Sequence, residues 1–117
     1  MKIESDRNFD VANYKENIVV SKLVAEYNLE SMKVFPYTHC KVRVWQKSGE
    51  YVAYSNIGII DKMNGNTEDR VCGFGSTIEL ALDDLINRTI ELICYYENEW
   101  GRKLNDEDYC YSDPDDF

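Results

Sequence analysis

Apolar side chains recur every three or four residues through the last third of the chain, and this stripe constrains the fold more than any other feature. It runs from residue 78 to residue 100 and predicts one long amphipathic helix. Its members are Ile78, Ala81, Leu82, Leu85, Thr89, Leu92, Ile93, Tyr96 and Trp100. Because such a stripe must be covered by a second layer, the rest of the chain has to supply a sheet or further helices.

A glycine-rich stretch, VCGFGST at residues 71–77, leads into this helix. Ser76 and Glu79 have the spacing of a capping box, in which each side chain accepts a hydrogen bond from the other residue's backbone N–H. Gly101 is a typical C-terminal stop. On this interpretation the turn is a junction between a strand and a capped helix.

The same turn also has the features of a small-anion site. The first N–H groups of a helix and its positive end favour negative charge. Phe74 offers a flat face to a base, and Gly75 permits close approach of the backbone. Ser76 and Thr77 add hydroxyl groups beside the helix start. The sequence leaves both interpretations of the turn open.

The middle of the chain predicts three antiparallel strands. Residues 38–46 alternate between apolar and polar side chains, and residues 51–60 are rich in aromatic and β-branched residues. A hairpin turn at residues 47–50 joins these two runs. Residues 70–74 form a third short strand before the glycine-rich turn.

An additional element is expected at residues 16–29, where the apolar residues are Ile18, Val19, Leu23, Val24 and Tyr27. Their spacing favours an amphipathic helix, whereas the β-branched run at residues 18–20 favours a strand as the alternative. With the helix, the order is α-β-β-β-α. We then expect an α+β fold with both helices on one face of a small antiparallel sheet of three or more strands.

The length predicts a single domain over residues 1–117, with a core at 10–103 and an acidic C-terminal tail at 104–117. Residues 1–70 contain ten acidic and ten basic residues, which cancel. Residues 71–117 contain twelve acidic and three basic residues and therefore carry the whole net charge of −9. Because this surface would repel a phosphate backbone, we expect no direct nucleic-acid partner.

Reactive residues are few and scattered. The cysteines are Cys40, Cys72, Cys94 and Cys110, and since none forms a closely spaced pair we expect free thiols and no metal site. The only histidine, His39, precedes Cys40 on a predicted strand, so their side chains point to opposite faces. We therefore expect neither an enzyme nor a cofactor. The absence of an apolar span or secretory signal predicts a cytoplasmic protein without a membrane partner.

Several side chains are candidates for holding a nucleotide. Arg43 and Trp45 share one face of the first predicted strand, and a cation beside an aromatic ring suits such a ligand. Arg70 and Arg102 are further candidates for phosphate contacts, and Tyr54 is a candidate for stacking on adenine. The alternative for Arg43 and Trp45 is an ordinary exposed or helix-covered sheet face.

The chain resembles the phage Thoeris anti-defence sponge proteins in CKVRVW at 40–45, the strand at 51–56, GFGST with ELAL at 79–82, and YSDPDDF at 111–117. This resemblance implies a non-catalytic oligomer, a dimer or larger, that captures a cyclic ADP-ribose signal made by bacterial TIR proteins. Some members of the family also hold cyclic oligonucleotides. We therefore expect a phage-type anti-defence protein that sequesters a cyclic nucleotide in the host cytoplasm.

A second hypothesis rests on the acidic residues. Spaced carboxylates on the last helix and the tail imitate a phosphate backbone, which would suit an acidic protein-binding inhibitor. Such a protein would be an anti-CRISPR-like nucleic-acid mimic or an immunity protein. A structural or regulatory subunit is the third possibility that the sequence leaves open.

Overall fold

The computed structural model of the protein describes residues 17–30, 40–115 and 117. These residues contain one α-helix, one short 3₁₀ helix and seven strands, which form two antiparallel sheets. In chain order the elements are β1 (Ser21–Leu29), β2 (Cys40–Lys47), β3 (Glu50–Ser55), β4 (Ile57–Asp61), β5 (Thr67–Asp69), β6 (Cys72–Gly75), α1 (Ile78–Trp100), the 3₁₀ helix (Asp106–Asp108) and β7 (Tyr109–Tyr111).

The helix α1 packs against both sheets. The large sheet has the strand order β1-β2-β3-β6, and the small sheet has the order β5-β4-β7. One buried cluster joins the start of α1 to the large sheet and contains Val42, Val44, Ala53, Ala81 and Leu85. A second cluster joins the end of α1 to the small sheet and contains Cys40, Ile57, Ile59, Ile93, Tyr96 and Tyr109. The long apolar stripe is therefore covered by two sheets in succession.

The expected α-β-β-β-α arrangement with two helices is wrong, because residues 21–29 form a strand. β1 pairs with β2 in antiparallel register from Ser21 opposite Lys47 to Leu29 opposite Cys40. The register shifts between Leu23 and Ala25, which inserts one extra residue into the strand. This irregularity changes the strand's alternation by one step, so its apolar residues acquire a spacing that resembles a helix.

The expected strand at residues 51–60 is divided at Asn56 into β3 and β4. Asn56 is buried, and its Oδ1 accepts a hydrogen bond from Lys41 N at 2.9 Å while its Nδ2 donates to Ser112 O at 3.3 Å. Its backbone bonds to the same two residues. This side chain therefore fixes the point where the chain leaves the large sheet and enters the small one.

Glycine is required where β6 meets α1. A Cβ atom added to Gly73 would lie 2.3 Å from both Ala81 O and Leu85 N, and one added to Gly75 would lie 2.5 Å from Ala81 N. These are backbone atoms of the helix, so no side-chain movement could relieve the overlap. The two glycines allow α1 to lie directly on the edge of the large sheet.

The ends of α1 agree in part with the sequence prediction. Thr77 is the N-cap, and its side chain accepts a hydrogen bond from Leu80 N. The predicted capping box of Ser76 and Glu79 is therefore wrong, because the cap lies one residue later and the third helical position is Leu80. Gly101 ends the helix in the left-handed conformation, with φ of 65°, as predicted.

The acidic C-terminal segment contributes to the fold. β7 pairs with β4, with Tyr111 opposite Ile57 and Tyr109 opposite Ile59. Asp108 is fully buried. Within the predicted tail at residues 104–117, residues 106–111 are therefore held on the small sheet by hydrogen bonds and apolar burial.

We predict that Gly73→Ala lowers the free energy of unfolding by about 3 kcal/mol, because the added methyl group would overlap the helix backbone. Denaturant unfolding followed by circular dichroism measures this loss. Gly49→Asn is the control, because Gly49 has no atom within 4 Å of an added Cβ and asparagine tolerates its φ of 82°. An alanine variant as stable as the wild type would contradict the packing argument.

Candidate functional site

At the start of α1, the groups that could hold an anion are largely engaged within the protein. Thr77 Oγ1 accepts from Leu80 N at 3.1 Å, and the carbonyl of Thr77 accepts from Ala81 N at 3.0 Å. Ser76 is exposed beside them. The space that a side chain at position 75 would need is filled by Leu80 and the backbone of Ala81, so the glycine serves the helix contact.

Phe74 is half exposed on the strand next to this turn. Its backbone N–H donates to Asp84 Oδ2 at 2.8 Å, and Arg88 Nε donates to the same oxygen at 3.0 Å. The Arg88 guanidinium lies 5.8 Å from the centroid of the Phe74 ring. The N–H of Phe74, together with Arg88, holds the pKa of Asp84 below its usual range, so this carboxylate stays ionised at neutral pH.

An open depression of about 440 Å³ adjoins Phe74. Its lining consists of Phe74, Gly75, Leu80, Asp83, Asp84, Asn87 and Arg88. The single arginine in this lining is paired with Asp84, so the two aspartates leave the depression with a negative balance. This negative charge would repel a phosphate group. The geometry therefore favours the turn as a structural junction between β6 and α1.

A different basic and aromatic surface lies on the face of the large sheet that points away from α1, here called the outer face. Val42 and Val44 are buried beneath α1, so the intervening Arg43 and the next residue, Trp45, point to the outer face. Tyr54 pairs directly with Arg43 across β2 and β3 and therefore shares that face. The structure thus brings together two predicted site residues, Arg43 and Tyr54.

The outer face contains a cavity of about 270 Å³, here called the outer-face groove. Its lining consists of Ser21, Trp45, Lys47, Tyr54 and Phe117. Lys47 Nζ donates to Tyr54 Oη at 2.9 Å and lies 5.1 Å from the centroid of that ring. Three aromatic side chains and one ammonium group therefore surround the same space.

Arg43 lies beside this groove, and Phe117 covers the side chain of Arg43. Its Nε donates to Glu26 Oε1 at 2.8 Å, and its Nη1 donates to Phe117 O at 2.9 Å. The guanidinium also lies 4.8 Å from the centroid of the Phe117 ring. The guanidinium of Arg43 thus already contacts an aromatic ring and an oxygen acceptor. These are the same two kinds of group that the base and a phosphate oxygen of a nucleotide would present.

The other two predicted arginines lie elsewhere. Arg70 Nη2 donates to Glu68 Oε1 at 2.7 Å and contacts Cys110 Sγ at 3.7 Å. Arg102 donates two hydrogen bonds to the carboxylate of Asp108, at 2.7 and 3.0 Å. Neither arginine lines the groove or the depression beside Phe74.

Sequence reasoning missed Lys47 and Phe117 as groove residues. Lys47 continues the alternation of Arg43 and Trp45 on β2, but the sequence assigns it to the hairpin turn. Phe117 reaches the groove through a contact that spans 74 residues of sequence, for which no local signal exists. His39, which the alternation of the sequence predicts on the same strand face as Arg43 and Trp45, lies outside the described residues.

Two thiols are held in their neutral form. Burial raises the pKa of Cys40 to about 11, and burial also raises the pKa of Cys110 to about 11. Because the thiolate is the nucleophile, these environments suit structural cysteines. Within residues 17–30, 40–115 and 117, no group of three or more histidine, cysteine, aspartate or glutamate side chains could hold a metal ion. No helix in this part of the chain is long and apolar enough to cross a membrane.

No protein-family model, curated protein or solved structure matches this chain.

Arg102 belongs to an ion-pair group in which two exposed cations contact the buried carboxylate of Asp108, and the loss of this carboxylate should lower the stability. Lys62 Nζ donates to Asp108 Oδ1 at 2.8 Å, and Asn105 N donates to Oδ2 at 2.8 Å, in addition to the two bonds from Arg102. We predict that Asp108→Asn lowers the free energy of unfolding by about 2–3 kcal/mol, because these donors lose a charged acceptor. Denaturant unfolding at pH 7 measures it, with the exposed Asp106→Asn as the matched control.

The carboxylate of Asp108 also makes the stability difference between the wild type and Asp108→Asn depend on pH. The hydrogen bonds from Arg102, with those from Lys62 and Asn105, hold the pKa of Asp108 well below its usual range against the opposing effect of burial. Near pH 4 the carboxylate of Asp108 therefore takes up a proton in the unfolded chain but stays ionised in the folded protein. The stability difference between wild type and Asp108→Asn should be full above that pH and shrink as the pH falls below it. A difference that is constant from pH 7 to pH 3 would contradict this assignment.

Proposed function

We propose that the protein is a non-catalytic binder that sequesters a small cyclic nucleotide, with the outer-face groove as its binding site. The observation that carries this proposal is that Trp45, Tyr54, Phe117 and the ammonium group of Lys47 line one open groove, with Arg43 beside it. The ligand class, a cyclic ADP-ribose isomer with cyclic oligonucleotides as further candidates, follows from the resemblance to the phage anti-defence sponges. A phage-encoded protein of this kind would act in the host cytoplasm.

The groove supplies the two interactions that a nucleotide needs. Aromatic side chains stack on a base with about 1–3 kcal/mol per base, and Trp45 and Tyr54 are placed for this. Lys47 is the groove's own cation for a phosphate oxygen. Arg43 becomes a second cation for phosphate when the carbonyl of Phe117 is displaced from it.

We propose that the protein binds the ligand without changing it chemically. The polar groups of the residues that line the groove are the hydroxyls of Ser21 and Tyr54, the ammonium of Lys47 and the indole N–H of Trp45. These groups hold a ligand by hydrogen bonds and charge. None of them is a carboxylate or imidazole that would accept a proton at neutral pH.

The size of the groove supports the proposal of a homo-oligomer. Its volume of about 270 Å³ lies below the range of about 300–1,000 Å³ that encloses a drug-sized ligand. A protein that sequesters its ligand has to cover most of it. We therefore propose that a second copy of the chain provides the remaining wall, as a symmetric dimer interface could.

A second candidate function rests on the charge of α1. The helix carries six acidic residues and one arginine, and Glu79, Asp83, Glu91 and Glu99 are exposed on it. A row of exposed carboxylates supports binding to a basic surface of a partner protein. Binding of that kind would weaken steeply with salt and would survive substitutions in the outer-face groove.

The nucleotide proposal predicts that one member of a ligand panel stabilises the protein. We would measure thermal unfolding and calorimetric binding with cyclic ADP-ribose isomers and cyclic di- and trinucleotides, since a ligand of the native state raises the unfolding temperature. Lys47→Met should weaken binding about 10- to 100-fold, as expected for the loss of a charged hydrogen bond. Lys103→Met is the matched control, because Lys103 is exposed and does not line the groove.

Recovery of the ligand separates sequestration from catalysis. Heat denaturation of the complex should release the ligand chemically intact, as chromatography and mass spectrometry would show. A panel without any stabilising ligand, or binding that Lys47→Met leaves unchanged, would overturn the proposed site. Release of a cleaved ligand would overturn the proposal that the protein is non-catalytic.

A further inference from the structure

A separate cavity lies at the C-terminal end of α1, where the helix meets the turn between β4 and β5. It has a volume of about 170 Å³ and is lined by Asp61, Met63, Asn64, Tyr95, Tyr96, Glu99 and Trp100. It shares no lining residue with the outer-face groove. This space, here called the Trp100 cage, is too small for a nucleotide but suits a compact chemical group.

Aromatic rings form the walls of the Trp100 cage in several orientations. The centroids of Tyr96 and Trp100 are 4.9 Å apart and their planes meet at 48°. Tyr95 meets Tyr96 edge to face, with centroids 5.2 Å apart and planes at 79°. Organic cations bind to the negative faces of aromatic rings, and these three rings, which contact one another at large angles, all line the cage.

Trp100 already attracts a cation within the protein. The guanidinium of Arg102 lies 5.2 Å from the centroid of the Trp100 ring. Two hydrogen bonds to Asp108 hold that guanidinium, and Arg102 is not among the residues that line the cage. The cavity therefore remains available to a second cation.

The charges around the cage also favour a cation. Asp61 and Glu99 line it, and no lysine, arginine or histidine is among its lining residues. Tyr96 Oη lies 2.7 Å from Asp69 Oδ2 and 3.2 Å from Asp61 Oδ2, so a further carboxylate lies at the hydroxyl end of this ring. Burial and the two aspartates raise the pKa of Tyr96, so the phenol stays neutral and the negative balance comes from the carboxylates.

The hydrogen bonds of Asp61 indicate what kind of cation fits. Its Oδ1 accepts from Met63 N at 3.1 Å, and its Oδ2 accepts from Asn64 Nδ2 at 2.8 Å beside the hydroxyl of Tyr96. Asp61 engaged in this way has about one of its four acceptor positions left, so it acts on a bound cation mainly through its negative charge. An alkylated ammonium needs no hydrogen-bond acceptor and is recognised by ring faces and nearby negative charge.

We propose that the Trp100 cage binds a trimethylammonium group. The group could belong to a small molecule such as choline or to a trimethylated lysine in a peptide, since both present the same chemistry to the rings. The inference is independent of the proposed nucleotide function, because the two sites share no residue.

The test uses the two tryptophans of the chain as separate reporters. Choline, a short peptide with one trimethyllysine, and 3,3-dimethyl-1-butanol are titrated into the labelled protein, and the two indole N–H resonances are followed by NMR. The alcohol is the uncharged counterpart of choline, with carbon in place of nitrogen. We expect the Trp100 resonance to shift in a saturable way, with choline or the peptide bound about tenfold more tightly than the alcohol. The Trp45 resonance should not move.

Variants of exposed residues of the Trp100 cage test the proposed site without disturbing the core. Tyr95 and Glu99 are exposed, so Tyr95→Leu and Glu99→Gln should fold normally. Each should weaken binding of the cation about threefold or more, whereas Glu91→Gln, with the same change of charge elsewhere on α1, should not. Equal binding of the alcohol, a shift of Trp45 instead of Trp100, or equal effects of Glu99→Gln and Glu91→Gln would overturn the inference. Stronger binding of the peptide than of choline would identify a protein as the source of the group.

Discussion

The close contact between β6 and α1 is the constraint on which the rest of the structure depends. At Gly73 and Gly75 the helix backbone lies so close to the strand that a Cβ atom at either position would overlap it. With the start of α1 fixed there, its first half covers the large sheet and its second half reaches the small sheet. The glycine-rich turn, which by sequence could equally hold an anion, is thus used for packing. Asp84 strengthens this junction by accepting the N–H of Phe74 on the exposed edge of β6.

The parts of the fold that could be predicted are those whose signals are local. The apolar period of α1 and its stop at Gly101 need only neighbouring residues, and so does the alternation of β2. The apolar spacing of residues 16–29 favours a helix, with a strand as the alternative, because the irregularity between Leu23 and Ala25 disturbs the alternation of β1. The division at Asn56 depends on partners 15 and 56 residues away, so the sequence pattern of residues 51–60 could not reveal it. The periodicity of the sequence therefore left these two assignments open. Hydrogen bonds between residues distant in sequence determine them in the folded chain.

The same distinction applies to the candidate sites. The pairing of Arg43 with an aromatic environment could be anticipated from the alternation on β2, and β3 brings Tyr54 beside it. The arginines at positions 70 and 102 look equivalent in the sequence, yet in the structure each is bound to an acidic neighbour. Phe117 covers Arg43 and shapes the outer-face groove, and only the folded chain brings it there. The net charge of −9 is therefore a poor guide to local charge, since the side chains that line the groove include one lysine and no aspartate or glutamate.

The most direct test of the central claim is to map where a nucleotide binds. We would titrate the ligand that stabilises the protein most into labelled protein and follow all backbone and indole N–H resonances by NMR. The account predicts large shifts at Trp45, Lys47 and Tyr54, accompanied by displacement of Phe117 from Arg43. Shifts concentrated on residues 74–80, with the outer face unchanged, would contradict it and would assign the anion site to the start of α1.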